Sequence, residues 1–202
     1  MGENMEGNQN TLNNHDDYVY KIGNNGEKLV FGNFWTNKQR RGNSLQEISY
    51  RACFKPQLPD FFLLGYSKKG DVVLDPFSGR GTTAIESALL GRIPISNDIN
   101  PISKIITEPR LIPPRFNEIL YRLSNISFDF NESADIDLSM FYERKTEGEI
   151  VSLKKYLISK KEEGKEDYID KWIRMVATNR LSGHSKGFFS VYTLPPNQSV
   201  SQ

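Results

Sequence analysis

The hydrophobic and polar positions between residues 71 and 101 change their spacing twice, and the change predicts three consecutive elements. Residues 71–74 are mostly apolar and rich in valine, which is typical of a buried parallel strand. Proline and glycine interrupt the chain at residues 75–81. Residues 84–90 then predict one short helix ended by Gly91, and residues 93–97 predict a second strand. Two parallel strands joined by a helix form a right-handed βαβ unit.

Polar residues near the ends of this unit indicate where a ligand would bind. Thr82 and Thr83 are predicted to cap the helix, and Thr83 with Glu86 has the spacing of a capping box. Asp98 follows the second strand, roughly 20 residues after the glycines. Ligands bind beyond the carboxyl ends of parallel strands, where an acidic side chain can accept hydrogen bonds from a ribose. We therefore expect a pocket for a nucleoside-containing cofactor.

The pattern before this unit predicts a tail, a hairpin and a helix. Residues 1–17 are polar and nearly free of large apolar side chains, so we expect them to be disordered. Residues 29–31 predict one strand of a hairpin. Pro59 suits a helix start, and the apolar residues 61–64 behind it are expected to pack on the sheet.

After residue 101 the pattern becomes mostly helical. Residues 102–106 predict a helix start, prolines at 109, 113 and 114 are expected to interrupt the chain, and residues 114–126 predict another helix. Residues 128–138 are acidic and irregular. A capping box at residues 146–149 predicts the next helix, and the spacing of Tyr168, Trp172 and Met175 predicts a last one that ends near Gly183.

Composition narrows the class of protein. The 202 residues suit one domain, or one domain with a tail, and the net charge of +1 provides no global positive field for nucleic acid. The single cysteine, Cys53, excludes an intramolecular disulfide and argues against a Cys-based metal site. No apolar run approaches the length of a membrane span, and no signal peptide pattern begins the chain. These features predict a soluble cytoplasmic protein without a metal.

Two short sequences resemble one enzyme family. DPFSGRGTT at residues 75–83 and NDINP at residues 97–101 are similar to the cofactor loop and the ribose-binding strand end of DNA amino-methyltransferases. These enzymes transfer a methyl group from S-adenosylmethionine to N4 of cytosine or N6 of adenine. The resemblance is firm over about residues 49–101 and looser elsewhere. The fold that the resemblance implies is α/β, with a Rossmann-like methyltransferase sheet. The cofactor-binding residues that it implies are Phe54, Asp75, Phe77, Ser78, Gly79, Gly81, Thr82, Thr83, Asp98 and Ile99.

The roles implied by the resemblance divide that set. Asp75, Phe77 and the loop up to Thr82 would line the methionine part of the cofactor, and Phe54 would help to close over it. Asp98 would hold the ribose, and Ile99 would lie near the adenine. An acidic loop also suits a cofactor that carries a sulfonium and a free amino group. The alternative is a purely structural βαβ turn, in which the same residues serve only to reverse the chain.

The catalytic motif of this family, Asp/Asn/Ser-Pro-Pro-aromatic, is not found intact. Residues 193–197 read Thr-Leu-Pro-Pro-Asn, so a leucine stands at the hydrogen-bonding position and an asparagine at the aromatic position. We expect this segment to be a turn or pocket wall behind an extended segment at residues 187–192. His184 is more typical of a structural residue than of a base, and the catalytic residues stay unknown.

The sequence therefore predicts three regions and an incomplete enzyme. Residues 1–17 are a disordered tail, residues 18–108 bind the cofactor, and residues 109–202 form a mostly helical insertion leading to an extended segment. We expect the sheet to be incomplete on its C-terminal side, and the catalytic motif to lie outside this chain. The chain would then be a truncated gene product, a fragment or one half of a split enzyme. DNA is the expected partner. The alternatives are an RNA base methyltransferase, an NAD-dependent oxidoreductase and a non-catalytic module.

Overall fold

A computed structural model of the chain describes residues 18–22, 26–32, 42–48, 50 and 53–181. The predicted tail at residues 1–17, His184 and residues 193–197 lie outside these ranges. The chain divides into two compact units, residues 1–41 and residues 42–202.

The first unit contains an antiparallel hairpin. Strand β1 (Tyr18–Ile22) pairs with strand β2 (Lys28–Gly32), with Tyr18 opposite Gly32 and Ile22 opposite Lys28. Gly26, in the connection, has a φ of +79°, which a glycine adopts without a steric penalty. The hairpin strand predicted at residues 29–31 is confirmed.

The second unit is built around the predicted βαβ unit. Strand β3 (Val72–Asp75) and strand β4 (Ile93–Ser96) are parallel, with Val72 opposite Ile93 and Asp75 opposite Ser96. Helix α2 (Thr82–Leu89) connects them and contacts both strands. Within the described residues the sheet has these two strands only. The α/β class and both predicted strands are confirmed.

Two further helices pack against α2. Helix α1 (Gln57–Tyr66) precedes β3, and helix α3 (Pro101–Leu111) follows β4. Asn100 caps α3, because its side chain accepts a hydrogen bond from the N–H of Ile102 at 3.1 Å. A 3-10 turn (Ser44–Gln46) also contacts α2. These elements pack around α2, and the glycine loop ends where α2 begins.

The C-terminal block contains three helices: α4 (Phe116–Ser124), α5 (Arg144–Glu162) and α6 (Tyr168–Arg180). Leu157, Ile169 and Ile173 form its buried core. Arg122 of α4 pairs with Asp167 at 2.6 Å and with the fully buried Asp170, so an ionic network joins two helices. For the described part of this block, up to residue 181, the predicted helical character is confirmed.

Three local predictions are wrong. Helix α2 begins at Thr82 with Gly81 as its N-cap, and Glu86 is buried against Gln46 instead of reaching back to Thr83. Helix α5 begins at Arg144, so residues 146–149 lie inside it and form no capping box. Pro109 lies within the last turn of α3, where the helix continues for two residues beyond it.

One face of the small sheet is apolar and exposed. Val72, Leu74, Ile93 and Ile95 share this face through the strand register, and they are 51–64% exposed. Val73 and Pro94 on the opposite face are less exposed. Parallel sheets are normally covered on both faces, so an exposed apolar face is unusual for a complete α/β domain.

Among the described residues, no helix is long and apolar enough to cross a membrane.

Candidate functional site

The loop after β3 turns back toward the end of β4. The Asp75 carboxylate accepts a hydrogen bond from the N–H of Phe77 at 3.1 Å, which starts the turn. The N–H of Ser78 donates to the carbonyl oxygen of Asn97 at 2.9 Å. The loop is therefore tied to the residue that precedes Asp98, at the carboxyl edge of the sheet.

Asp98 is the acidic group on which the loop closes. Its Oδ2 accepts a hydrogen bond from the N–H of Gly79 at 2.6 Å, and its Oδ1 accepts one from the N–H of Asn100 at 2.8 Å. The bonds from Asn100 and Gly79 hold the pKa of this carboxyl below its usual range. The group is thus ionised at neutral pH, and each oxygen keeps a further acceptor position.

Two glycines have backbone conformations that other residues rarely adopt. Gly79 has a φ of +53° and Gly81 a φ of +78°. A Cβ atom at Gly81 would lie 2.4 Å from the side chain of Thr107 on α3. At Gly81 the side chain of Thr107 therefore occupies the space that a Cβ atom would need.

Two apolar side chains stand beside the loop in solvent. Phe77 is 87% exposed and Ile99 is fully exposed. Large apolar side chains with this exposure gain by contacting another apolar surface. They flank the Gly79–Asp98 contact in sequence, since Phe77 comes two residues before Gly79 and Ile99 directly follows Asp98.

Ser78 and Thr82 face the interior. The Oγ atom of Ser78 is buried and has no hydrogen-bond partner among the described residues. The Oγ1 atom of Thr82 accepts a hydrogen bond from Nε of Arg80 at 2.9 Å, and its carbonyl oxygen accepts one from Gln46 at 3.2 Å. The side chain of Thr82 therefore stabilises the loop from within.

Phe54 and Thr83 lie together on an apolar groove of about 410 Å³. The groove runs between α1 and β3, and its remaining lining residues are Leu58, Pro59, Phe62, Leu63, Tyr66, Ser67, Val72 and Val73. Of the ten predicted cofactor residues, these two line the groove. Asp75, Gly79 and Asp98 instead take part in the hydrogen bonds of the loop. The predicted set thus divides into a loop group and a groove group.

Sequence reasoning missed several residues that shape the loop. Tyr50 lies 3.5 Å from the position of a Cβ at Gly79, and its hydroxyl accepts a hydrogen bond from Asn100 at 3.4 Å. Arg110 of α3 donates to the carbonyl oxygen of Arg80 within the loop. Of the residues that were missed, only Arg80 could have been found from the local sequence, because it lies between the two loop glycines. The partners of Tyr50 and Arg110 lie far away in the sequence. In the described part of the chain, no group of three or more His, Cys, Asp or Glu residues could hold a metal ion.

Comparison with known proteins gives three similar bacterial or archaeal methyltransferases. The chain is 28% identical over 164 residues to the type II methyltransferase M.MjaII of Methanocaldococcus jannaschii, covering 74% of this chain and 31% of the relative. It is 41% identical over 64 residues to the type II methyltransferase M.BsoBI of Geobacillus stearothermophilus, covering 31% and 13%. It is 38% identical over 60 residues to the orphan methyltransferase M.BamHII of Bacillus amyloliquefaciens, covering 29% and 23%.

The chain thus spans less than a third of the length of each of these curated relatives. No solved structure matches it. A family model described as DNA methylase, of the N6- and N4-methylating type, matches residues 3–108, which is more than half of the chain and includes the loop and Asp98. The chain belongs to this family of DNA amino-methyltransferases.

Proposed function

We propose that this chain is the S-adenosylmethionine-binding part of a DNA methyltransferase that acts on an exocyclic amine, N4 of cytosine or N6 of adenine. The observation that carries the proposal is the contact between Gly79 and Asp98 at the carboxyl edge of β3 and β4. It brings together the glycine loop and the acidic residue that the family resemblance assigns to one cofactor. The names of the relatives, two of them type II methyltransferases, support a role in restriction–modification.

The residues at this edge fit the chemistry of the cofactor. The ionised carboxylate of Asp98 has acceptor positions left for ribose hydroxyls. Ile99 and Phe77 offer exposed apolar surface, which suits the adenine and the aliphatic part of the methionine. The buried Oγ of Ser78 lacks a partner among the described residues and would accept or donate one hydrogen bond.

The chain contributes binding and orientation rather than an acid or base. S-adenosylmethionine, when bound, supplies an electrophilic methyl group. Gly79 allows the ligand to approach the backbone, while Asp98 fixes its sugar. Orientation of this kind accounts for a large share of the rate in displacement reactions.

The exposed sheet face supports the proposal that further polypeptide packs on this sheet. Four apolar side chains on one face of β3 and β4 are more than half exposed. The relatives are more than three times as long as the part that matches. We place the additional strands and the Pro-Pro-aromatic motif in that polypeptide, which is either a continuation of this chain or a second subunit.

DNA is the proposed substrate, and we place the protein in the cytoplasm. The contact surface for DNA would come mostly from the completing polypeptide, because two basic residues of α6 are already paired. Lys171 lies 2.5 Å from Glu108, and Arg174 lies 2.5 Å from Glu166. The matching family model, described as DNA methylase, favours DNA over RNA.

The test is transfer of labelled methyl groups from S-adenosylmethionine, with the completing polypeptide supplied in the reaction. We expect label in the amino groups of duplex DNA and none in transfer RNA. We expect neither polypeptide alone to be active. Label that enters transfer RNA preferentially would support an RNA methyltransferase, and absence of transfer to either would contradict the proposal.

A further inference from the structure

The guanidinium of Arg110 is buried directly behind the glycine loop. It is 2% exposed and lies in the last turn of α3. It donates from Nε to the carbonyl oxygen of Ile106 at 2.6 Å, from Nη1 to that of Leu45 at 2.7 Å, and from Nη2 to that of Arg80. Within the described part of the chain, none of the ion pairs involves this group.

A buried cation with only carbonyl partners is an expensive arrangement. Removing a guanidinium from water costs several kcal/mol before its hydrogen bonds compensate, on the order of the penalty for any buried ion. Burial, together with the nearby charge of Arg80, lowers the pKa of Arg110 to about 10, so the group is still charged at neutral pH. A hydrophobic side chain would fill the same space without this penalty, which indicates that the charge has a use.

The hydrogen bonds of the loop form a continuous relay from this cation to Asp98. Arg110 donates to the carbonyl oxygen of Arg80, whose peptide group ends in the N–H of Gly81. The N–H of Gly81 donates to the carbonyl oxygen of Ser78 at 2.7 Å. This carbonyl belongs to the peptide group between residues 78 and 79, whose other end is the N–H of Gly79. The N–H of Gly79 donates to Asp98 at 2.6 Å.

Two peptide groups are therefore aligned head to tail between a cation and an anion. Consecutive hydrogen bonds polarise one another, and the effect is larger where the surrounding dielectric constant is low. The positive charge at one end strengthens the donor that reaches the carboxylate at the other end. The relay also fixes the orientation of both peptide planes, since each is bound at its C=O and its N–H.

We infer that Arg110 is a positioning residue that holds the glycine loop and the Asp98 carboxylate in their binding geometry through the peptide groups 80–81 and 78–79. It does not touch the cofactor. Its effect on cofactor affinity rests on the function proposed above, whereas its effect on the loop and on Asp98 does not. The two consequences are therefore tested by separate measurements.

The experiment compares Arg110→Met with Arg92→Met in the full chain. Arg92 is a matched control because its guanidinium also donates to carbonyl oxygens, those of Leu63, Ser67 and Leu90, at 2.8–3.1 Å. It precedes β4 and so lies at the amino edge of the sheet, away from the loop. Both variants lose comparable bonds, but only one of them interrupts the relay.

The readouts are the NMR titration of the Asp98 carboxyl and the hydrogen exchange of the Gly79 and Gly81 amides. In Arg110→Met we expect Asp98 to bind its proton about threefold more tightly or more, and the two amides to exchange about tenfold faster. Asp137 is the internal control, since it accepts the N–H of Ser139 at 2.9 Å in a separate turn and should titrate unchanged. Arg92→Met should leave Asp98 and both amides as in the wild type.

Identical Asp98 titration and amide exchange in the two variants would overturn the inference. If Arg110→Met does not fold, Arg110→Lys carries the test, because an ammonium keeps the charge but loses the fork that reaches three carbonyl oxygens. We expect intermediate values for it, and wild-type values would also overturn the inference. Calorimetry with S-adenosylmethionine adds the functional readout: weaker binding by about tenfold in Arg110→Met. Failure of the wild type to bind would contradict the proposed function and leave the NMR result to decide on the relay.

Discussion

Single residues determine the shape of the loop, and most of them act through the backbone. Gly79 and Gly81 supply positive φ angles, and Asp98 receives two backbone N–H groups. The glycine pattern and the acidic residue could be predicted from the sequence, because both belong to short local motifs. The partners of Arg110 could not, because Leu45 and Arg80 lie 65 and 30 positions away along the chain.

Gly81→Ala tests the steric requirement of the loop. The substitution forces a left-handed φ on a residue with a Cβ and places that atom 2.4 Å from Thr107. We expect the free energy of unfolding to fall by about 2–4 kcal/mol, the sum of the two effects. Gly164→Ala is the control, since its φ is +66° but nothing lies within 4 Å of the new atom. It should cost only about 1–2 kcal/mol. Urea denaturation measures both, and equal losses would contradict the predicted clash.

Glu86→Gln tests the cost of a buried carboxylate beside the loop. Burial raises the pKa of Glu86, although the hydrogen bond from Gln46 at 2.9 Å opposes this and the charge of Asp60 adds to it. A raised pKa in an acid means that the folded state favours the protonated form. The wild type therefore loses stability as the pH rises through that pKa, and we expect the glutamine variant to be more stable at pH 7 and similar at acid pH.

The matched variant is Glu118→Gln, for which the opposite sign is expected. Hydrogen bonds from Tyr168 at 2.7 Å and from the N–H of Arg115 at 2.7 Å lower the pKa of Glu118. Its contribution to stability is present at neutral pH and is lost as the pH falls through that lowered pKa. Thermal unfolding between pH 3 and pH 8 would show the two opposite trends, and parallel curves would contradict the assignment.

At the scale of elements, the prediction succeeded where the pattern is local. Strands β3 and β4 and helix α2 lie within two residues of their predicted bounds, because a short apolar run defines each of them and Gly91 ends the helix. The capping boxes at Thr83 and at residues 146–149 failed for a tertiary reason. Glu86 is held by Gln46, which lies 40 positions away, and the Glu147 side chain accepts the N–H of Ala134 at 2.9 Å.

Two helical glycines give opposite expectations for the same substitution. Gly148 of α5 packs against the backbone of Phe130, and an added Cβ would lie 2.5 Å from its carbonyl oxygen. We expect Gly148→Ala to destabilise the chain by about 1–3 kcal/mol, since a backbone atom cannot move aside cheaply. Gly65→Ala in α1 has open space and should stabilise the chain by about 0.5–1 kcal/mol. Denaturant titration of both variants checks the difference in sign, and stabilisation by Gly148→Ala would contradict the close packing.

At the scale of the whole molecule, the described sheet is covered on one face and bare on the other. The chain also spans less than a third of each curated relative. The local sequence could not indicate which face is bare. The four side chains on the bare face are apolar, and they would fit a buried strand equally well. The bare face is the surface on which we place the completing part of the enzyme.

Leu74→Asn tests that placement. Leu74 is 64% exposed in the centre of the bare face, so we expect little change in the stability of the chain itself, within about 0.5 kcal/mol. We expect it to weaken association with the completing polypeptide and to reduce reconstituted methyl transfer by about tenfold or more, since a buried amide without a partner costs about 1–3 kcal/mol. Ile112→Asn is the control, at 65% exposure but outside the sheet. Equal loss of reconstitution in both variants would contradict the proposed docking face.

The measurement that tests the central claim most directly is calorimetric titration of S-adenosylmethionine into the wild type, Asp98→Asn and Asp71→Asn. Asp71 also accepts a backbone N–H, that of Lys68 at 3.0 Å, but it precedes β3 and so lies at the opposite edge of the sheet. We predict that Asp98→Asn weakens binding by about tenfold or more and that Asp71→Asn leaves it unchanged, because only Asp98 can hold the ribose. Absence of binding by the wild type, or equal affinity in all three proteins, would contradict the account.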